Sequence, residues 1–265
     1  RKRSAHILRK SLWALRLPHL AFNRTRVWRR FGNLRDALAD CLNTPVSRLN
    51  ARFHFIEHHV AHVASSFYSS GFEEAALLSL DGLGDFASML WGVGRGRNLD
   101  IKEFVLFPHS LGLYYTAITQ YLGFWKYGDE YKVMGLAAYG ERKYEEVFDS
   151  IVRTGRSLDF SLDLKFFTHH RQGPDMNWDS GEPQQGRLFS SHLERVLGSA
   201  RVPDAPIDKH HQDVAATLQG HREDVLFDIL NKLFQKTQIP NLCYAGGVAF
   251  NCVANGKIFD RTPFE

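Results

Sequence analysis

The run AALLSLD at residues 75–81 constrains the fold more than any other part of the sequence. Six uncharged residues precede Asp81, and such a continuous apolar run is typical of a strand that is buried on both faces of its sheet. Gly82 and Gly84 follow at once and predict a tight turn. The sequence therefore predicts a buried strand that presents a carboxylate at the edge of a sheet, where α/β folds bind ligands.

Strand and helix patterns alternate along the rest of the chain. Short apolar or alternating runs predict further strands at 51–57, 86–93, 101–107 and 241–245. Helical spacing predicts helices at 34–42, 58–66, 112–123, 130–139, 142–153, 208–236 and 248–258. Residues 155–190 are rich in Gly, Pro, Asp and aromatic residues, and we predict an insertion or loop region there. This order of elements predicts an α/β layered fold.

The basic character of the chain is confined to its first 50 residues. That segment holds 12 Lys and Arg against two acids, whereas all 265 residues together carry a formal net charge of only +4. Such a segment either binds a nucleic acid or another phosphorylated ligand, or is a solvated segment that packs on the domain. No apolar run reaches the roughly 20 residues of a membrane span, and the three cysteines form no CxxC pair, which indicates a reducing compartment. We expect a cytoplasmic protein.

The sequence HHVAH at residues 58–62 carries two histidines four positions apart. On a helix His58 and His62 share one face, and two imidazoles on one face can supply two ligands to a cation. Two partly buried histidines bonded to backbone are the alternative. His59 points about 100° away because of the helical period, and should serve another purpose.

Asp81 lies in the sequence DGLGD, which also contains Asp85. A carboxylate at this strand end can complete a site of two histidines and one carboxylate, whose open positions favour iron or a similar divalent ion. An ordinary Asp-Gly hairpin turn is the alternative.

Two further segments are candidates for nucleotide contacts. In GDEYKVMGL, Glu130 and Lys132 lie at a helix start, where either a carboxylate bonds to a ribose or an acidic residue caps the helix. In AGGVAFN, a strand is followed by Gly246 and Gly247 and then by Asn251, and backbone N–H groups in such a turn can meet a nucleotide or its phosphates. Neither a GxxxxGK[ST] loop nor a GxGxxG fingerprint is present.

Six blocks together resemble a known family, the O-carbamoyltransferases of nodulation-factor and antibiotic biosynthesis. In chain order the blocks are EHHVAHVASSFYSSGF, LLSLDGLGD, SLGLYYTAITQYLGF, GDEYKVMGLAAYG, HQDVAATLQ and LCYAGGVAFNCVANGKI. The resemblance implies an actin-like ATPase (ribonuclease H-like) fold, similar to that of the tRNA threonylcarbamoyl-transfer proteins and incomplete at both ends here. It implies a basic N-terminal segment at 1–50 and a partial carbamoyltransferase domain at 51–265, without the C-terminal adenylate-forming domain or a further metal-binding Asp.

The resemblance also implies an activity, namely ATP-dependent transfer of a carbamoyl group from carbamoyl phosphate, through carbamoyl adenylate, to a hydroxyl of a small-molecule acceptor. This piece alone is expected to be inactive. The residues that the resemblance assigns are His58, His62 and Asp81 for a divalent metal ion, with Fe²⁺ expected, and Gly246, Gly247, Asn251, Glu130 and Lys132 for the nucleotide.

Position alone makes His59 and Asp85 candidates for the general base that removes the proton of the acceptor hydroxyl. The expected partners are carbamoyl phosphate, a hydroxyl-bearing sugar-like or antibiotic acceptor and a second copy of the chain, with no membrane and no nucleic acid. Two other functions stay open. One is a tRNA threonylcarbamoyl-transfer protein that uses the basic segment to contact RNA, and the other is a non-catalytic nucleotide-binding module.

Overall fold

A computed structural model of the chain describes residues 34–174, 176–177 and 181–265. The chain divides into two compact units. The first consists of Arg1–Ile56 with Arg171–Gly173, and the second of Glu57–His170 with Pro174–Glu265. Expectations that fall on residues 1–33, 175 and 178–180, among them the packing of most of the basic segment, lie outside the described residues.

The described part of the first unit contains one short helix, α1 (Leu34–Cys41), and a 3₁₀-helix at Val46–Arg48. The strand predicted at 51–57 is wrong, because these residues form no strand. Backbone groups need hydrogen-bond partners, and here the Arg35 guanidinium binds the carbonyls of Leu49 and Ala51 at 2.9 and 2.7 Å. An alternating sequence pattern therefore does not by itself produce a strand, because a strand also needs a neighbouring strand to pair with.

A four-stranded mixed sheet organises the second unit. In chain order the strands are β1 (Glu74–Gly84), β2 (Ala87–Arg95), β3 (Asn98–Leu106), β4 (Val152–Thr154), β5 (Phe160–Leu162), β6 (Met176–Asn177), β7 (Gln184–Gln185) and β8 (Leu242–Ala245). The short strands β4 to β7 lie outside the main sheet and form two pairs, β4 with β5 and β6 with β7. The order in the main sheet is β3-β2-β1-β8, with β1–β2 and β2–β3 antiparallel and β1–β8 parallel. The predicted α/β class is confirmed.

Beyond residue 56 the helices are α2 (His58–Ser70), α3 (Leu111–Tyr121), α4 (Glu130–Ala137), α5 (Glu145–Ile151), α6 (His169–Gln172), α7 (Ser191–Leu197), α8 (Lys209–Thr237), α9 (Cys252–Asn255) and α10 (Ile258–Arg261), with 3₁₀-helices at Leu164–Phe166 and Gly247–Phe250. Helices α2, α3 and α8 contact β1 of the main sheet. The helix predicted at 248–258 is wrong as one element, because the chain breaks into three short helical pieces there. The helix predicted at 142–153 is shorter than expected and runs directly into β4. None of the helices in the described ranges is both long and apolar enough to cross a membrane.

Strand β1 is buried because helices pack on both faces of the sheet. Leu78 and Leu80 point into the larger hydrophobic core, which includes side chains of α3 and α8. Leu77 points the other way and packs in a smaller core with Val63 and Phe67 of α2. The continuous apolar run in the sequence follows from this arrangement, since neither face of the strand meets water.

Candidate metal centre

Helix α2 begins at His58, which places both histidines of the predicted pair on its first two turns. The helix starts here because Glu57 is its N-cap, with Oε2 accepting a hydrogen bond from the Val60 N–H at 2.7 Å. The helix ends at Gly71, whose φ of 78° is the left-handed conformation common at helix ends. His58 and His62 thus lie one turn apart and face the same way.

The structure brings His58, His62 and Asp81 together. The Nε2 atoms of the two imidazoles lie 2.7 and 3.0 Å from Oδ2 of Asp81, and they lie 3.0 Å from each other. We call these three residues the metal triad. All three side chains are partly exposed, so a ligand from solvent can reach the cluster.

The spacing of the triad fits a shared divalent ion. A transition metal binds nitrogen and oxygen ligands at about 2.1 Å, so two ligands at a right angle to each other lie about 3.0 Å apart. Two of the three separations equal that value, and the third, 2.7 Å between His58 and Asp81, is slightly shorter. Two imidazoles with one carboxylate are also the donor set of many iron sites.

The second carboxylate oxygen of Asp81 is held by backbone amides. Oδ1 accepts hydrogen bonds from the N–H groups of Gly82 and Gly247, at 2.7 and 3.1 Å, while Oδ2 faces the imidazoles. Burial raises the pKa of Asp81, but the hydrogen bonds from both imidazoles and both amides outweigh burial and hold the pKa well below its usual range. Asp81 is therefore ionised and fixed in orientation, as a metal-binding carboxylate requires.

His58 is positioned by the loop that follows β1. Its backbone N–H donates to Oδ2 of Asp85 at 2.9 Å, and its ring lies flat against Gly84, where a Cβ would come within 2.0 Å of the ring carbon Cδ2. The hydrogen bond with Asp81 raises the pKa of His58, although burial acts in the opposite direction. Only glycine at position 84 leaves room for the imidazole.

The two general-base candidates lie in different surroundings. His59 is fully buried, with Nδ1 2.8 Å from the Ser79 hydroxyl, and burial lowers its pKa. This position argues against His59 as the base, since a general base must reach the proton that it removes. Asp85 is exposed next to His58, and its role as a base stays a prediction.

The predicted glycine turn lies beside the metal triad. Ser79 of β1 pairs with Ala245 of the parallel strand β8, so Asp81 and Gly247 each lie two residues beyond that pair at one edge of the sheet. Gly246 has a φ of 101°, and a Cβ there would lie 2.2 Å from the Leu80 carbonyl oxygen. The turn therefore needs glycine to approach β1 so closely.

Asn251 is committed to contacts inside the protein. Its side-chain oxygen accepts from the Ala254 N–H and caps α9, and its amide exchanges two hydrogen bonds with Gln219 of α8, at 3.0 and 2.9 Å. Asn251 is buried, with 7% of its surface exposed. The structure thus gives Asn251 a part in holding the turn, and its predicted contact with adenosine stays untested.

Glu130 and Lys132 lie at the start of α4, apart from the triad. Oε1 of Glu130 accepts a hydrogen bond from the Thr116 hydroxyl of α3 at 2.6 Å, and the Lys132 ammonium pairs with Asp129 at 2.7 Å. The first contact joins α4 to α3, the second lies within α4 and its N-cap Asp129, and neither reaches the metal triad. The expected ribose contact stays a prediction.

Sequence reasoning missed several residues that support the site. Ser110 caps α3 and donates its hydroxyl to the carbonyl of Gly82 at 2.5 Å. Gln219, Arg222 and Glu223 form a buried polar face of α8. Their spacing of three and four residues was the available signal, because polar residues so spaced share a helix face that α8 otherwise fills with apolar side chains.

Comparisons with known proteins find one matching family and several relatives that share this region. The sequence model of the family described as "Carbamoyltransferase N-terminus" matches residues 30–265. An uncharacterized protein, sll1178, of Synechocystis sp. is 37% identical over 213 residues, which is 80% of this chain and 32% of that protein. The nodulation protein NolNO of Sinorhizobium fredii is 36% identical over 235 residues, or 88% of this chain and 30% of that protein. The nodulation protein NolO of Bradyrhizobium diazoefficiens is 36% identical over 213 residues, or 79% and 34%. The chain thus spans about a third of the length of the curated relatives that it matches.

Proposed function

The chain belongs to the carbamoyltransferase family through that family's N-terminal region, and from this membership we propose that it forms the transfer site of an O-carbamoyltransferase. The reaction moves a carbamoyl group from carbamoyl phosphate, through carbamoyl adenylate made with ATP, to a hydroxyl of a small-molecule acceptor. We also propose that the mixed sheet and its helices are part of an actin-like ATPase fold.

The observation that carries this proposal is the convergence of two imidazoles and one carboxylate beside a glycine turn. The donor atoms of the metal triad lie within 4.8 Å of one another, and Gly247 at the start of the turn donates to the same carboxylate. In the proposal His58, His62 and Asp81 hold a divalent ion. We propose Fe²⁺, because two imidazoles and one carboxylate are the donor set of many iron sites. When bound, it would supply Lewis-acid stabilisation of negative charge on the phosphate of AMP, which leaves as the acceptor hydroxyl takes the carbamoyl group.

The residues of the chain prepare this site before any ligand arrives. Asp81 is already ionised, since its pKa is held well below the usual carboxyl range, so cation binding need not displace its proton. The Gly246–Gly247 turn brings backbone N–H groups to the sheet edge, where such groups bind phosphate oxygens. In the proposal, Glu130 and Lys132 approach the ribose from α4.

The acceptor hydroxyl must lose a proton as it attacks the carbamoyl carbon. General-base catalysis of such a step typically contributes about 10²–10⁴-fold. We propose Asp85 for this role, because it is an exposed carboxylate beside His58, whereas His59 is enclosed in the core.

The test compares histidine variants of the complete gene product. His58→Ala and His62→Ala should each lose bound metal and the transfer of carbamoyl from carbamoyl phosphate and ATP to hydroxylated acceptors. His54→Ala is the matched control, because His54 is exposed four residues before the triad and should keep both properties. Metal content equal to wild type in both triad variants would refute the metal assignment. Nucleotide binding with no transfer in the wild-type protein would instead favour a non-catalytic module.

A further inference from the structure

The long helix α8 turns a buried polar face toward the glycine turn. Gln219, Arg222 and Glu223 lie on this face with 5%, 1% and 4% of their surfaces exposed. Most other buried side chains of α8 are apolar and pack into the main core, although Asp213, Thr217 and His221 are buried as well. Burying polar groups is unfavourable unless they make specific contacts, and the contacts of these three side chains lead to the segment that contains the glycine turn.

Arg222 holds the turn itself. Its Nη2 donates a hydrogen bond of 2.6 Å to the carbonyl oxygen of Val248, one residue after Gly247. Its Nη1 has no partner of good hydrogen-bond geometry among the described groups, although Tyr244 lies close. Burial raises the pKa of Tyr244 to about 12, and the charge of Arg222 opposes that rise. A guanidinium enclosed with so little compensation is costly for folding, which points to a role at the turn.

Two further contacts fix the segment that follows the turn. Gln219 and Asn251 exchange a pair of hydrogen bonds through their side-chain amides, at 3.0 and 2.9 Å. Glu223 accepts from Gln219 at 2.7 Å and pairs with the Lys257 ammonium at 2.7 Å. The same helix face is therefore attached to the turn segment at three points within ten residues, from Val248 to Lys257.

We propose that Arg222 and Gln219 are positioning residues of the metal triad, acting through the glycine turn. By holding Val248 and Asn251, they keep the Gly247 N–H directed at Oδ1 of Asp81. The inference deepens the proposed function, since it takes the metal triad and the turn as its site. Neither side chain can touch a ligand itself, because both are enclosed in the protein.

The orientation of Asp81 is what this arrangement controls. Two amides hold Oδ1, but that of Gly82 belongs to the adjacent residue and moves with Asp81. The Gly247 amide comes from 166 residues away and fixes the carboxylate relative to a different part of the fold. If the turn shifts, the carboxylate is free to rotate, and Oδ2 no longer points steadily at His58 and His62.

The test uses Arg222→Met in the 265-residue chain, with Lys232→Met as the matched control. Lys232 is a cation of the same helix that also donates to a distant backbone carbonyl, that of Gly155 at 2.7 Å, but away from the turn. Gly246–Gly247 is the only adjacent pair of glycines in the sequence. Labelling glycine with ¹³C at the carbonyl and ¹⁵N therefore gives one HNCO signal, which reports the Gly247 amide alone.

We expect faster hydrogen exchange at Gly247 in metal-free Arg222→Met, with wild-type exchange in Lys232→Met. We also expect Arg222→Met to bind Co²⁺ about tenfold more weakly, at the lower end of the effect of residues that support metal ligands, with an altered visible spectrum. Arg222→Lys, which keeps a donor for Val248, should restore part of both properties and serves as the decisive variant if Arg222→Met does not fold.

Unchanged Gly247 exchange in a folded Arg222→Met chain would overturn the inference, as would equal loss in Lys232→Met. The exchange measurement needs no metal. If the complete gene product binds no Co²⁺, the proposed function fails, while exchange at Gly247 in the 265-residue chain still decides whether Arg222 is coupled to Gly247.

Discussion

Substituting Gly84 by Ala should abolish metal binding without removing any ligand. The His58 ring occupies the space beside Gly84, where an added Cβ would lie 2.0 Å from the ring carbon Cδ2. Real Cβ contacts are essentially never shorter than 3.0 Å, and ordinary ones begin at 3.4 Å, so the imidazole or the end of β1 must move by about 1.0–1.4 Å. Metal–ligand distances tolerate changes of only about 0.2 Å.

The expected loss of metal affinity follows because the forced displacement is several times larger than the tolerance of a metal–ligand distance. A displacement of this size takes Nε2 of His58 out of the position in which it lies 2.7 Å from Asp81 and 3.0 Å from His62. Removing residues that merely orient ligands costs about 10–100-fold in metal affinity, and displacing a ligand should cost at least about a hundredfold. Metal binding is measured by Co²⁺ titration with visible absorption, and folding by circular dichroism.

Gly82→Ala is the matched control in the same strand, β1. It adds the same methyl group and keeps the amide that binds Asp81, and a Cβ at position 82 meets nothing within 4 Å. We expect Gly82→Ala to keep the wild-type affinity. If folded Gly84→Ala binds Co²⁺ as tightly as Gly82→Ala, the steric argument is refuted, and His58 is not the ligand that the geometry indicates.

Two further predictions concern stability. Burial lowers the pKa of His169 to about 4 from 6.5, so between those pH values the unfolded chain binds more protons than the folded one. The free energy of unfolding should therefore fall on acidification, with His169 contributing at most about 3 kcal/mol. His169→Gln should show a shallower dependence in urea unfolding at pH 6.5 to 4, and parallel curves for variant and wild type would contradict this. Leu226→Ala, which truncates a fully buried side chain of α8, should cost about 2–5 kcal/mol in the same assay. The exposed Val196→Ala is its control, expected within about 0.5 kcal/mol of wild type, and equal stabilities would argue that α8 does not form the core.

The parts of the fold that the sequence predicted well are those in which pattern and packing agree. The run at 75–81 predicted the central strand because burial on two faces leaves no charged position in it before Asp81. The long helix at 208–236 was predicted within a residue because its apolar face is continuous over many turns. The run at 51–57 misled, since alternation describes one strand and says nothing of whether a second strand pairs with it.

The candidate site, like the fold, was predicted only in part from the sequence. Helical periodicity predicted that His58 and His62 share a face. The tight turn predicted at Gly82 and Gly84 is wrong, because β1 continues to Gly84 and Asp81 lies three residues before its end. Hydrogen-bond partners could not be predicted so directly, because they depend on contacts between distant segments. The hydrogen bonds between Asn251 and Gln219 are an example, and the contact of Asn251 with adenosine stays a prediction.

The hydrogen bond between Gly247 and Asp81 has a consequence for how the protein is made. His58 and Asp81 are 23 residues apart, whereas 166 residues separate Asp81 from Gly247. At a translation rate of about 5–20 residues per second, the nascent chain carries the imidazoles and the carboxylate for roughly 8–33 s before the glycine pair has even been synthesised. Closing so large a loop is also slow compared with forming local contacts. The hydrogen bond that fixes Asp81 relative to the glycine turn can therefore form only late in synthesis, long after the two imidazoles and the carboxylate are present in the nascent chain.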